Sequence, residues 1–442
     1  MIPNQDIFCQ AAWYELQIYW NGDLGFCCQE DQKVYPEDPN TPYNIRNMSI
    51  REWYDSEPMR KARMMMFDDQ PNTVCTRCYR QQEHSGTSRR HKCNQKSVIF
   101  TKANFEESFQ QSPAYEKFVN SYQNQGAYSG LPINLHIDLG NHCNLACKMC
   151  NPRSSSRVAA QHVKWGIESA RPYVGNDWTS DPDLWNRVID ELAEIPDLSN
   201  VHFMGGETLI TPRFRDFVDH MIQRERFDLN FSFVTNGTSW DTELMDKLMK
   251  FKRIGIEVSI ETASKHNAYQ RQGTDTDQVL QNMDRYLEYC DNQRVTLTVR
   301  PALSLLTIGN YHTLLQYCLD RKLIVKSLLV GRPRYLDTVM LPESVKQLYI
   351  DRYREFIEVN NLQDKEMLDY NESDPNKYQQ VILNEARQAM SLLEAPTPID
   401  NQAYLKQMVN WCQRWDKIYG YNAVELYPEL ADIFETYAYK NT

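Results

Sequence analysis

The chain has 442 residues, 41% hydrophobic and 24% charged, which leaves room for two or three domains with sizeable cores and excludes a disordered polymer. Its formal net charge of −11 argues against nucleic acid as the main partner, because a phosphate backbone is bound through clustered Lys and Arg. No apolar run approaches the roughly 18 residues of a membrane span, and Met1 to Asp6 lack the basic and apolar regions of a secretory signal, so a cytoplasmic protein with no membrane partner is expected.

Residues 1–95 have no βα rhythm. They hold one hairpin pattern, 13–20 and 24–27, around Asn21-Gly22; Asn-Gly between apolar runs signals a tight turn. Four spaced cysteines lie here: Cys9, Cys27, Cys75 and Cys78, the last two as CxxC. Arg89-Arg90-His91-Lys92 reads as a solvated basic loop. Residues 96–131 read as a linker.

From 132 to 340 strand-like and helix-like segments alternate. Strands are expected at 133–139, 200–203, 228–235, 254–260, 294–303 and 324–330, with helices at 183–195, 212–224, 241–250 and 276–290 between them. This alternation predicts βαβ units and a parallel sheet. Asn134, His136 and Asp138 share one face by the period of two, as do Glu257, Ser259 and Glu261, and Thr296, Thr298 and Arg300. A sheet covered on both sides would read as continuous apolar runs, so polar faces point to the lumen of an open, partial barrel that holds a ligand. Residues 341–442 read as helices at 343–359, 377–393, 404–418 and 427–439. The fold class expected is α/β, a partial (βα)6 TIM-like barrel preceded by a small cysteine-rich domain and followed by a helical region.

Twelve cysteines in a reducing compartment need an account, since disulfides are rare there and spaced cysteines bind metal or do chemistry. Cys290, Cys318 and Cys412 sit in helix-like stretches and read as small buried thiols. Cys143, Cys147 and Cys150 form a CxxxCxxC loop directly after the first barrel strand. Three thiolates on one tight loop suit three corners of a [4Fe–4S] cluster, whose usual complement is four; with no fourth cysteine close by, one iron stays open. Zinc completed by a distant residue is the competing reading, although zinc motifs favour paired cysteines with a second pair beyond.

This loop, after the first strand of a six-unit barrel, resembles the radical S-adenosylmethionine superfamily, over about 133–330. The resemblance implies reductive cleavage of S-adenosylmethionine to a 5′-deoxyadenosyl radical, which abstracts hydrogen from substrate. It implies roles for further residues. Gly205, Gly206 and Glu207 resemble the family's GGE station for the methionine amino group. Thr235 and Asn236, with Gly237, look like the TNG station near the ribose, and Ser259 matches a position that contacts ribose or carboxylate. Arg271 resembles the arginine that pairs with the methionine carboxylate, a role that suits a charge-assisted fork. Met149 stands where the family often has an aromatic residue that shields adenine. An electron donor such as flavodoxin or ferredoxin is implied as partner.

Cys9, Cys27, Cys75 and Cys78 resemble the twitch subdomain, a shorter relative of the SPASM domain, which holds an auxiliary [4Fe–4S] cluster. Cys28 and Cys93 are alternative ligands, and four cysteines also suit zinc. Twitch domains usually follow the barrel, and here the motif precedes it. Its hairpin and CxxC are expected to fold over the barrel mouth, where the loops after the strands gather. The leading expectation is thus an enzyme with two [4Fe–4S] clusters acting on a peptide, protein or small metabolite, the auxiliary cluster assisting electron transfer. His136, Asp138, Glu257, Glu261 and Arg300 are candidates for the substrate pocket. The alternatives are a non-catalytic iron–sulfur scaffold and a zinc-dependent interaction module.

Overall fold

The computed structural model describes residues 3–4, 6–30, 43–85, 88–96, 110–111, 114–175, 177–291, 293–364 and 376–438. The strands, in chain order, are β1 (Glu15–Ile18), β2 (Leu24–Gly25), β3 (Asn134–Asp138), β4 (Ala146–Cys147), β5 (Asn200–Met204), β6 (Asn230–Thr235), β7 (Arg253–Val258), β8 (Arg271–Gln272), β9 (Val295–Val299), β10 (Ala302–Leu303), β11 (Ile324–Val325) and β12 (Leu328–Leu329). One eight-stranded sheet runs β11-β9-β7-β6-β5-β3-β1-β2. Its ladders are parallel from β11 through to β1, with only β2 antiparallel at the edge.

The alternation seen in the sequence is what shapes this sheet. Leu135, Ile137, Val201, Phe203, Phe231, Phe233, Ile254 and Ile256 are buried on one face, against helices such as Pro182–Ala193 and Pro212–Gln223. Their neighbours, including His136, His202, Glu257 and Thr298, are only half-buried and share the other face. Apolar burial thus drives the helices onto the outside, and the polar face is left to a lumen.

Two expected strands are shorter than their apolar runs. The 294–303 run breaks at Arg300-Pro301 into β9 and β10, because Pro301 has no N–H for the ladder. The 324–330 run splits into β11, in the main sheet, and β12, paired with β10. The last expected helix, 427–439, opens as a tighter turn at Pro428–Leu430 and is α-helical over Ala431–Tyr437, after a separate short helix Ala423–Leu426; residue 439 lies outside the described residues.

The N-terminal segment departs further. Trp13 and Tyr14 belong to a short helix, Ala11–Tyr14, and only Glu15–Ile18 is extended. β1 pairs in parallel with β3, Glu15 opposite Asn134 and Ile18 opposite Ile137, so the hairpin extends the barrel sheet and does not cover its mouth. The antiparallel return sets Gly25 opposite Gln17, which sends Cys27 toward the beginning of β1 and β3. The reason is register: a parallel edge strand followed by a short turn, residues 19–23, must bring the chain back to the end where the barrel strands start. Residues Arg89–Lys96 form a helix and not a solvated loop, with Arg90 buried and Arg89 turned inward. Within 96–131, the helix Tyr115–Gln123 packs Phe118 against Phe8 and Trp13. Among the described residues one large hydrophobic core runs from Phe8 to Phe434, and a smaller one joins Ala146, Val158 and Trp415. Among the described residues no helix is long and apolar enough to cross a membrane.

Candidate functional site

The cysteine loop follows β3 and is tied to three other loops at the same end of the sheet. Glu207 donates its backbone N–H to His142 O at 2.7 Å. Asn144 accepts from Asn236 Nδ2 at 2.8 Å and donates to Thr238 Oγ1 at 2.8 Å. β4 pairs with β8, setting Cys147 opposite Arg271. The glycines serve these ties. Gly206 has φ +60°, and a Cβ there would lie 2.2 Å from His142 O; a Cβ on Gly205, φ +84°, would lie 2.8 Å from Gly140 O. The close approach they permit is thus to the cysteine loop's own backbone.

A cavity of about 400 Å³ results, lined by Cys143, Cys147, Cys150, Gly206, Glu207, Thr235, Asn236, Ser259 and Arg271. Of the other residues singled out in the sequence, Gly205 packs on Asp138 and Gly140, and Met149 is half-buried against the core without lining this cavity. Leu145, Ser154, Ser155 and Val234 complete the wall. Ser155 caps the helix Ser156–Lys164 and donates to Leu145 O at 2.9 Å, holding the loop from behind.

The electrostatics are those of a buried, prepared site. The Glu207 carboxylate accepts from Thr235 Oγ1 and from the Asn236 N–H, both at 2.6 Å; burial raises its pKa and these bonds oppose the rise. Arg271 makes a two-pronged pair with Glu261, 2.5 and 2.6 Å, inside the protein. Its remaining nitrogen lies 3.9 Å from Cys147 Sγ. Glu261 falls beyond the end of β7 and is fully buried, so it backs Arg271 and does not join the lumen face with Glu257. Burial pushes the Cys143 and Cys147 thiols up, and Cys150 to about 11; binding a metal there releases protons.

The second set also meets. Cys9, Cys27, Cys75, Cys78 and Cys93 line one cavity of about 390 Å³ with Arg89 and Arg90. Cys28 stands beside Cys27 outside that lining. Arg89 bonds both oxygens of Glu15, at 2.8 and 2.6 Å, and lies 3.4 Å from His136 Nε2, linking this cavity to the lumen. There the His136 and His202 rings lie 5.4 Å apart edge-on, and Arg300 pairs with Glu257 at 3.4 Å. Both donor sets fit iron–sulfur clusters. A cubane takes one thiolate per iron, so its ligands surround a volume, as the thiols of each set do around its cavity.

Sequence reasoning also missed the far side of the cysteine loop. Lys148 is buried, its ammonium 3.6 Å from the Tyr269 ring centroid and 3.9 Å from Asp416. Trp411 donates to Lys148 O at 3.3 Å. Trp415 packs with Ala146 and Val158. The only signal for this seal is the aromatic spacing of 411, 415 and 419 along one helix.

A family model described as the Radical SAM superfamily matches residues 137–301, and one described as an iron–sulfur cluster-binding domain, SPASM, matches residues 9–79. No curated protein matches the chain. Among solved structures, native anSMEcpe with bound AdoMet is 16% identical with a TM-score of 0.38, over 52% of this chain and 63% of that one. Streptococcus suis SuiB bound to S-adenosylmethionine is 13% identical with a TM-score of 0.34, over 69% of this chain and 63% of that one. SuiB bound to its precursor peptide SuiA is 13% identical with a TM-score of 0.34, over 81% of this chain and 70% of that one. The chain spans 63% of the length of the first two.

Proposed function

We infer that the chain is a radical SAM enzyme with an SPASM-type iron–sulfur domain ahead of its barrel, a reading supported by the two family models that match residues 137–301 and 9–79. It binds two [4Fe–4S] clusters and S-adenosylmethionine, and acts on a peptide, protein or small metabolite. The observation that carries this reading is the single cavity in which Cys143, Cys147 and Cys150 face Glu207, Asn236, Ser259 and Arg271.

Cys143, Cys147 and Cys150 would hold the barrel cluster through three thiolates, one fewer than its usual complement, so that the cosubstrate could complete it. Bound there, the cluster and S-adenosylmethionine together supply a 5′-deoxyadenosyl radical. The residues do the rest by position. Glu207 and the Gly205–Gly206 backbone receive the methionine ammonium, Arg271 faces its carboxylate, and Thr235, Asn236 and Ser259 lie toward the ribose. Arg271 is held for this by Glu261, since a bidentate pair fixes the guanidinium plane. Cys9, Cys27, Cys75 and Cys78 hold the second cluster. The lumen between, with His136, His202, Glu257 and Arg300, takes the substrate.

The experiment is anaerobic. Dithionite-reduced protein should form 5′-deoxyadenosine from S-adenosylmethionine, and Cys143→Ala, Cys147→Ala, Cys150→Ala together should abolish it. Undiminished turnover in that triple variant sinks the assignment.

A further inference from the structure

The seal over the cysteine loop has an outer surface whose charge is opposite to that of the chain. The helices Ser156–Lys164 and Asn401–Tyr419 pack together through Val158, Trp165, Trp411 and Trp415. Outward they expose Arg157, Lys164, Lys406, Arg414 and Lys417, and none of the five forms an ion pair among the described residues. The only carboxylate on either helix is Asp416, which turns inward to Lys148 and the Tyr269 hydroxyl. Of the carboxylates that flank the two helices, Glu168 is bound by Arg171 at 2.7 Å, and Asp400 precedes the first turn of Asn401–Tyr419, at the far end from Arg414 and Lys417. On a chain with 59 acidic and 48 basic residues, this ridge is an inversion of the local field.

The ridge stands over the cysteine loop. Cys150 is half-buried and packs against the cluster of Ala146, Val158 and Trp415, on which Trp165 and Trp411 also pack. The Arg414 guanidinium lies 5.8 Å from the Trp165 ring centroid, so an exposed cation sits directly on the aromatic cluster against which Cys150 packs. Half of the ridge comes from residues beyond 301, outside both matched families.

We propose that this ridge is the docking surface for an acidic one-electron carrier protein, which delivers its electron across the tryptophan layer at Cys150. The proposal rests on the reading of Cys143, Cys147 and Cys150 as cluster ligands. Electron transfer between proteins weakens steeply with distance, so a carrier gains from seating where the acceptor is covered by one layer of side chains. A nucleic acid gains nothing from that place, and the chain's net charge repels a long polyanion. Five cations with no ion pair among the described residues match the acidic faces such carriers present, and steer their approach. The exchange moves one electron and no atoms: the carrier is oxidised by one, the acceptor site reduced by one, and no bond forms or breaks on docking.

The test uses the full chain with both cysteine sets intact. Binding to immobilised flavodoxin and to a [2Fe–2S] ferredoxin is measured by interferometry, beside a transfer RNA. The unaltered chain should bind at least one carrier, with affinity falling as salt rises from about 50 to about 200 mM. The combination Arg157→Glu, Lys164→Glu, Arg414→Glu, Lys417→Glu should weaken that binding about tenfold or more. It should also abolish carrier-driven formation of 5′-deoxyadenosine while leaving dithionite-driven formation unchanged. Unchanged carrier affinity in this variant overturns the proposal, as does transfer RNA that displaces the carriers from the ridge. Should the variant not fold, the salt series on the unaltered chain decides, and a salt-insensitive affinity overturns it. Absence of dithionite-driven cleavage in the unaltered chain strikes the proposed activity instead, and leaves the binding measurements to decide the docking.

Discussion

Glu207 serves two neighbours at once. Its carboxylate already accepts bonds from Thr235 and Asn236, so it shapes the loop after β6 as well as facing the cavity. Arg271 has a similar double duty through Glu261. Arg271→Lys keeps the charge and loses the fork, and Glu261→Gln loses the charge that holds it. Each should weaken S-adenosylmethionine binding about tenfold, the equivalent of one charge-assisted hydrogen bond of about 1.5 kcal/mol. Because both variants break the same contact, the double variant should be little worse than either alone; fully additive losses in equilibrium binding would show that the two act separately. Gly206→Ala is a harsher test. The added Cβ meets a backbone oxygen at 2.2 Å in a left-handed conformation, so the cysteine loop must move. Iron analysis should show about four atoms fewer per chain, one cubane's worth, with the N-terminal cluster retained.

At the scale of elements, the sequence made legible whatever is local. The CxxxCxxC loop, the GGE turn and the six barrel strands are contiguous in the chain, and their spacing alone displays them. What it hid depends on pairing partners far apart. Nothing in residues 13–27 says that β1 will dock in parallel on β3, more than a hundred residues later, and that register decides which end of the barrel receives Cys27. Arg89 looks like a solvated cation because its partner, Glu15, is 74 residues away. Cys93 reads only as an alternative ligand, with no spacing to place it, until the helix Arg89–Lys96 brings it to the cavity. The helix Asn401–Tyr419 carries no motif, yet it closes the cysteine loop. Trp411→Ala should therefore cost about 3 kcal/mol, the low end for an aromatic side chain lost from a packed site. It should also make the barrel cluster bleach faster in air, followed by visible absorbance; an unchanged bleaching rate would mean that the seal protects nothing.

For the whole molecule, the two cysteine cavities lie at opposite ends of one sheet. Cys143, Cys147 and Cys150 follow the end of β3, whereas Cys27 returns toward the beginning of β1 and β3. Between them runs the polar lumen, with Arg89 at its lower wall touching both Glu15 and His136. In the proposed reading, a substrate held in that lumen has the radical source above it and the second cluster below. On that assignment the three barrel thiols leave an iron for the cosubstrate, and the N-terminal set has enough thiols to saturate its own. Cys75→Ala with Cys78→Ala should then stop substrate conversion while 5′-deoxyadenosine still forms, uncoupled. The control matters because the N-terminal segment is not a separable module: Phe8 and Trp13 share a core with the barrel, and losing a bound metal is linked to unfolding. The variant must first be shown, by Mössbauer or EPR spectroscopy, to keep its barrel cluster. Given that, lost cleavage would mean that the first electron passes through the N-terminal cluster, and that the ends of the sheet do not divide the work in this way. Retained cleavage with conversion abolished assigns the upper end to making the radical and the lower end to the substrate.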